Sequence, residues 1–218
     1  MALSSLQTDF LHAWFKLSHD YYLTGGGALI GFYGWERTTE DLDLFSADTA
    51  ALDHVDKILS EACVELGAEF QAVRTYREFR RYTVTRGGES IQLDFVIESV
   101  PQICKVKAVI DAVTVDALEE IFANKLTTVV SRSEVRDLWD VYQFVQRGLS
   151  ITDALYNANL KDAGVSAEAV VFVLGDVNWE ELRKAAQRAG LANWDEVEQF
   201  FRKWLEQLRM SLLPPSSA

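Results

Sequence analysis

The chain is poor in the residues that build covalently or metal-locked scaffolds. Its 218 residues include two cysteines, Cys63 and Cys104, and three histidines, His12, His19 and His54. Two cysteines without CxxC spacing argue against a disulfide framework and fit a reducing compartment. The histidines are scattered without metal-ligand spacing. No apolar run approaches the roughly 20 residues that span a bilayer. The opening "MALSSLQTDFLHAWFKLSHD" lacks the basic and long apolar regions of a secretory signal, so a cytoplasmic location with no membrane partner is expected. Positive charge is also scarce: 21 Lys+Arg stand against 33 Asp+Glu, a net charge of -12. Proteins that grip phosphate backbones usually carry a basic face, so this balance weighs against long nucleic-acid substrates. It leaves a nucleotide open. One local exception is "VRTYREFRRYTVTRGG", which gathers Arg74, Arg77, Arg80, Arg81 and Arg86.

What is present is globular. A hydrophobic share of 49% and a charged share of 25% are ordinary values, and the length suffices for one large domain or two small ones. Leu6, Phe10, Trp14 and Leu17 recur at helical spacing over residues 5–20. "YYLTGGG" reads as a short strand ending in a glycine turn, "ALIGFYGW" as a short buried helix, and "TTEDLDLFS" as a strand. Residues 49–66 form an amphipathic helix stopped by Gly67. "EFQAVRTY", "FRRYTVTR" and "ESIQLDFVIES" are β-like, the last two joined by the hairpin signal Gly87-Gly88, and "VKAVIDAVTV" supplies one final strand. From Asp116 onward the texture is helical. The expectation is an α+β fold: a mixed sheet with flanking helices over 1–115, a helical domain over 116–213 that closes over the site, and a fraying tail at 214–218.

The chemistry sits in "YLTGGGALIGFYGWERTTEDLDLF". Strand side chains alternate faces, so Asp41 and Asp43 point one way while Leu42 and Leu44 point into the core. Neighbouring carboxylates repel unless a cation lies between them, and oxygen ligands suit Mg²⁺ or Mn²⁺. The glycines of the preceding turn let backbone approach a ligand, and amides at the following helix start can hold a phosphate. Glycines for phosphate and carboxylates for metal are two halves of a nucleoside-triphosphate site. Alone, Gly25–Gly27 would read as an empty tight turn, and Asp-Leu-Asp as a solvated strand edge. Asp94 adds a third carboxylate inside the apolar strand "IQLDFVI", where an unpaired charge is costly; a shared metal offsets that cost, and solvent beside Gln92 is the alternative.

"LTGGGAL" followed by "RTTEDLDLF" resembles the DNA-polymerase-β-like nucleotidyltransferase superfamily, and within it the AbiEii/AbiGii-type nucleotidyltransferase toxins. The helical stretch "NKLTTVVSRSEVRDLWDVYQF" is similar to that family's Lys-Leu…Arg…Arg-Asp-x-x-Asp block. The likeness runs over about residues 20–147. Two departures stand out: residues 27–40 make a longer spacer than the general pattern, and Gly27 replaces the usual hydroxyl residue.

The resemblance implies transfer of a nucleoside monophosphate from an NTP to an acceptor hydroxyl. Asp41, Asp43 and Asp94 would bind the metal, with Asp94 also a candidate general base. Gly25, Gly26 and Gly27 would bind the triphosphate, and Lys125 would offset its charge. On the residues alone, Lys125 borders the apolar stripe of its helix and equally suits a lysine with its ammonium in water. Asp137 contacts nucleotide or orients Lys125, with Asp140 its rival on the same helix face. Arg37 contacts substrate or pairs with Glu40; Arg132 and Arg136 hold phosphates or pair with Glu134 and Asp140. The family implies a toxin acting on tRNA or another cellular target, restrained by a separately encoded antitoxin protein; the acidic charge weighs mildly against tRNA and leaves room for a protein acceptor. The acidic charge also suits an aminoglycoside-type small molecule as acceptor. A third reading is a nucleotide-binding interaction protein without turnover.

Overall fold

The computed structural model describes residues 3–214; the expected tail from residue 215 onward lies outside the described residues. The chain divides into two compact units, Met1–Val100 with Cys104–Leu118, and Pro101–Ile103 with Glu119–Ala218.

Among its described residues the first unit holds seven strands: β1 (Tyr22–Thr24), β2 (Asp41–Ser46), β3 (Glu69–Thr75), β4 (Phe79–Arg86), β5 (Glu89–Ile97), β6 (Ala108–Ile110) and β7 (Val113–Val115). Its helices are α1 (Ser5–Leu17), α2 (Gly25–Phe32) and α3 (Val55–Leu66). The strands form one sheet in the order β3-β4-β5-β2-β1-β7-β6. β2/β5 and β1/β7 run parallel, and the other neighbours run antiparallel. The mixed sheet with flanking helices is therefore the expected α+β architecture.

Period-two patterning sorts the faces. Leu23, Leu42, Leu44, Tyr82, Val84, Leu93 and Phe95 are buried on one side. Phe95 packs against Trp14, Tyr21 and Tyr82 at ring-centroid distances of 4.6, 5.3 and 5.8 Å, which ties α1 and the residue before β1 to β4 and β5. Each large side chain so buried contributes about 1.5–3 kcal/mol. α1 begins at a capping box formed by Ser4 and Gln7. It stops at Leu17, three residues short of expectation, and Leu17 is exposed. Ser18 is extended there, and its hydroxyl accepts from the Asp20 amide, a local bond that competes with the helix ladder.

Two further differences have local causes. The helix expected over 49–66 opens with a 3-10 turn, Ala51–His54, before α3. "VKAVIDAVTV" is a hairpin, not one strand: Asp111 and Ala112 turn the chain at φ 48° and 65°, between β6 and β7. Neither residue is a glycine, so the turn carries no usual signature.

The second unit consists of α4 (Leu118–Arg132), α5 (Val135–Gln146), α6 (Ile151–Lys161), α7 (Ala167–Gly175), α8 (Trp179–Arg188) and α9 (Trp194–Ser211), α4 starting on the unit boundary. Ser150, Ser166 and Asn178 cap α6, α7 and α8 with side-chain hydrogen bonds, as helix N-termini require. Phe122 of α4 stacks on Phe144 of α5 at 4.5 Å. Lys161 pairs with fully buried Glu120, whose other oxygen accepts from the Ile103 amide at 2.7 Å. Among the described residues, no helix is long and apolar enough to cross a membrane.

Candidate active site

The parallel register of β2 and β5 places Asp43 directly beside Asp94, and Asp41 beside Gln92. Asp41, Asp43 and Asp94 thus share the sheet face opposite Leu42, Leu44 and Leu93. On its other flank Asp43 pairs with Thr24, the last residue of β1. The chain passes from Thr24 straight into α2, so the expected glycine turn is the first turn of a helix. No side chain caps this helix: the Thr24 hydroxyl donates instead to Asp116 at 2.8 Å. Asp116 is fully buried and also pairs with Lys107 at 2.6 Å, which fixes the junction of β1 and α2.

The three glycines do different things. Gly25 has φ 60°, and a Cβ there would lie 2.3 Å from the Asp43 Oδ2. Both conformation and contact require glycine at this point. A Cβ on Gly26 would meet the Arg37 guanidinium at 3.0 Å, whereas one on Gly27 would meet Leu42 Cδ2 at 2.9 Å and Leu23 Cδ1 at 3.3 Å. Gly25 and Gly26 therefore face polar site groups; Gly27 allows α2 to sit on the core. Arg37 is buried, and its Nη1 donates to the Thr38 carbonyl at 3.0 Å. Thr39 donates its hydroxyl to Asp41, and Gln7 of α1 holds the Thr39 carbonyl at 3.0 Å. The loop before β2 is thereby pinned to α1.

Asp94 is held by a cation. Arg81, its antiparallel partner on β4, donates from Nε and Nη2 to the two Asp94 oxygens at 2.7 and 2.6 Å. The Arg81 pKa is raised, first by hydrogen bonding to Asp94 and then by the charges of Asp94, Asp41 and Asp43, with burial opposing. All three carboxylates act on this one guanidinium. Among the described residues no group of three His, Cys, Asp or Glu stands ready to hold a metal ion. The donor set still suits a hard divalent ion, since it is all carboxylate. Asp41 and Asp43 fit as ligands; Asp94 fits through the lone pairs that Arg81 leaves, against the charge of the guanidinium.

In the helical unit, Lys125 Nζ contacts Asp137 Oδ1 at 2.8 Å and Asp140 Oδ2 at 2.9 Å. Asp137 and Asp140 are thus both partners of Lys125. The second Asp137 oxygen accepts from Arg132 Nε at 2.8 Å. Burial disfavours the Asp137 anion, but the charges and hydrogen bonds of Lys125 and Arg132 outweigh it and hold the carboxyl below its ordinary range. Arg132 also lies 3.7 Å from Glu134, and Arg136 is exposed.

Comparison with known proteins gives the family. The family model described as "Nucleotidyl transferase AbiEii toxin, Type IV TA system" matches residues 9–216. The chain belongs to this family. It is accordingly a nucleotidyltransferase of toxin–antitoxin type. Among curated proteins none matches the sequence. The solved structure of JHP933 from Helicobacter pylori is similar with a TM-score of 0.61 at 18% identity, covering 97% of this chain and 98% of that one. MenT4, the nucleotidyltransferase toxin Rv2826c from Mycobacterium tuberculosis H37Rv, is similar with a TM-score of 0.53 at 17% identity, covering 96% and 92%. At such identities these likenesses speak to fold, and the nucleotidyltransferase-like fold is what they support.

Sequence reasoning named Asp41, Asp43 and Asp94 as candidate site carboxylates but missed Arg81 as the partner of Asp94. The signal was available: a hairpin centred on Gly87-Gly88 pairs Arg86 with Glu89, and counting outward brings Arg81 opposite Asp94. Of the five arginines in the basic run, Arg80 pairs with Asp56, Arg81 with Asp94 and Arg86 with Asp9. Arg74 and Arg77 are exposed.

Proposed function

We propose that this nucleotidyltransferase moves a nucleoside monophosphate from an NTP to an acceptor hydroxyl with Mg²⁺ or Mn²⁺ as cofactor. The observation that carries the reading is the position of Asp43. It has Asp94 on one flank, Thr24 on the other and Gly25 against its carboxylate, so the aspartates adjoin the first turn of α2. Asp41 and Asp43 hold the divalent ion and Asp94 joins them. The amides at Gly25 and Gly26, at the positive end of the α2 dipole, receive the triphosphate. The acceptor oxygen attacks the α-phosphorus, the bond to the bridging oxygen breaks, pyrophosphate leaves and Asp94 takes the hydroxyl proton. The ion supplies charge neutralisation of the triphosphate and lowers the pKa of the attacking hydroxyl. Lys125, oriented by Asp137 and Asp140, is the nucleotide-contacting cation of the helical unit; this role rests on its place in the family's Lys-Leu…Arg-Asp-x-x-Asp block.

The acceptor we favour is tRNA, in keeping with the toxin family, with a separately encoded antitoxin as partner. The exposed Arg74 and Arg77 offer phosphate contacts in an otherwise acidic chain. Calorimetric titration of each NTP with Mg²⁺ or Mn²⁺ tests the site. Saturable, metal-dependent binding lost in folded Asp41→Ala/Asp43→Ala protein supports it; a folded wild type that binds no NTP overturns it. Label transfer from radioactive NTP to tRNA, to protein and to aminoglycosides then fixes the acceptor.

A further inference from the structure

Three facts about Arg81 and Asp94 belong together. Both Asp94 oxygens are engaged by a parallel two-pronged hydrogen-bond pair, the strongest geometry open to an arginine and a carboxylate. The Asp94 side chain is 8% exposed and that of Arg81 28%, so the guanidinium forms the solvent side of the pair. Arg81 also lies on the same sheet face as Asp41 and Asp43, because Arg81 pairs with Asp94 and Asp94 with Asp43. Each Asp94 oxygen keeps a second lone pair, but a guanidinium 2.6–2.7 Å away already neutralises the carboxylate and repels a second cation there.

From this geometry we infer that Arg81 is an internal counter-ion that caps Asp94 and competes with the divalent ion for it, so that the ion binds Asp94 fully only as the guanidinium is drawn away. The inference rests on the proposed metal site and adds a positioning residue to it. Paired with Asp94, Arg81 balances carboxylates that would otherwise repel one another across β2 and β5. Release needs two things: a divalent ion to replace the positive charge at Asp94, and an anion to receive the guanidinium. A triphosphate provides the second, since the arginine fork matches phosphate as well as carboxylate. Ion and triphosphate binding are therefore coupled through Arg81. Each makes the other's binding easier, by the same factor in both directions.

The test uses Mn²⁺ alone, its free concentration read by electron paramagnetic resonance, with the full-length wild type and the variants Arg81→Gln, Arg81→Lys, Asp94→Asn and Arg81→Gln/Asp94→Asn. Arg81→Gln uncaps Asp94, so Mn²⁺ binds about tenfold tighter than to wild type, the scale of one charge-assisted hydrogen bond. Arg81→Lys keeps the charge without the fork and gives a smaller gain; it also serves if the Gln variant folds poorly. The gain vanishes in the Asp94→Asn background. Adding a non-hydrolysable NTP tightens Mn²⁺ binding more in wild type than in Arg81→Gln. Equal Mn²⁺ affinity in wild type, Arg81→Gln and Arg81→Lys, all binding the ion, overturns the cap and leaves the metal site standing. A gain that survives Asp94→Asn also overturns it, because general charge removal then explains the effect. No Mn²⁺ binding by any of the proteins, with or without NTP, overturns the cap together with the proposed site.

Discussion

At the scale of single residues, Gly25 and Lys125 make the sharpest predictions. Gly25→Ala places an L side chain at φ 60° and drives it into the Asp43 carboxylate. It should lower unfolding free energy in urea by about 1–2 kcal/mol and weaken metal-dependent NTP binding together, because Asp43 must move. Lys125→Met leaves Asp137 and Asp140 buried beside each other without their shared ammonium. Breaking such a pair from one side costs about 3–5 kcal/mol, so the variant should unfold at markedly lower denaturant. Loss of activity in Lys125 variants therefore has to be measured on folded protein. The depressed Asp137 pKa has a defined sign: its contribution is complete above the ordinary value of 3.8 and lost as pH falls through the lower folded value. The stability gap between wild type and Asp137→Asn should hold at neutral pH and close in acid below about pH 4, as followed by urea unfolding.

At the scale of elements, the turn between β6 and β7 is an expensive one. Ala112 sits at φ 65°, where glycine is at ease and alanine is not. Ala112→Gly should raise stability by up to about 1 kcal/mol, read from the urea midpoint. This turn also shows what the sequence could and could not disclose. Gly87-Gly88 announced its hairpin, while Asp111-Ala112 bends as sharply with no glycine to mark it, so two strands looked like one. The alternation in "DLDLF" revealed which face Asp41 and Asp43 occupy, because burial of Leu42 and Leu44 enforces it. It could not reveal that Asp94 lies beside Asp43 rather than one pair further along, since parallel register is set by the whole sheet. The triple glycine looked like a single device. Only packing separates Gly25, which faces a carboxylate, from Gly27, which faces Leu42 and Leu23.

At the scale of the whole molecule, charge sets what kind of acceptor can be gripped. With a net charge of -12 and three of the five clustered arginines in ion pairs, the chain has few cations to exchange for those around a nucleic acid. If Arg74 and Arg77 are the main phosphate contacts, the logarithm of RNA affinity should fall with the logarithm of salt with a slope of about −2 or shallower. Filter binding of tRNA across a salt series measures it, and a much steeper slope would point to a basic surface other than this hairpin. One long-range bond reaches further. Thr24, which opens α2 at the glycines, is anchored by Asp116, ninety-two residues later in the chain. A ribosome making this protein has to add ninety-two residues after Thr24 before that anchor arrives. A chain ending before residue 116 lacks the carboxylate that holds Thr24, so the β1–α2 junction finds its anchor only late in synthesis.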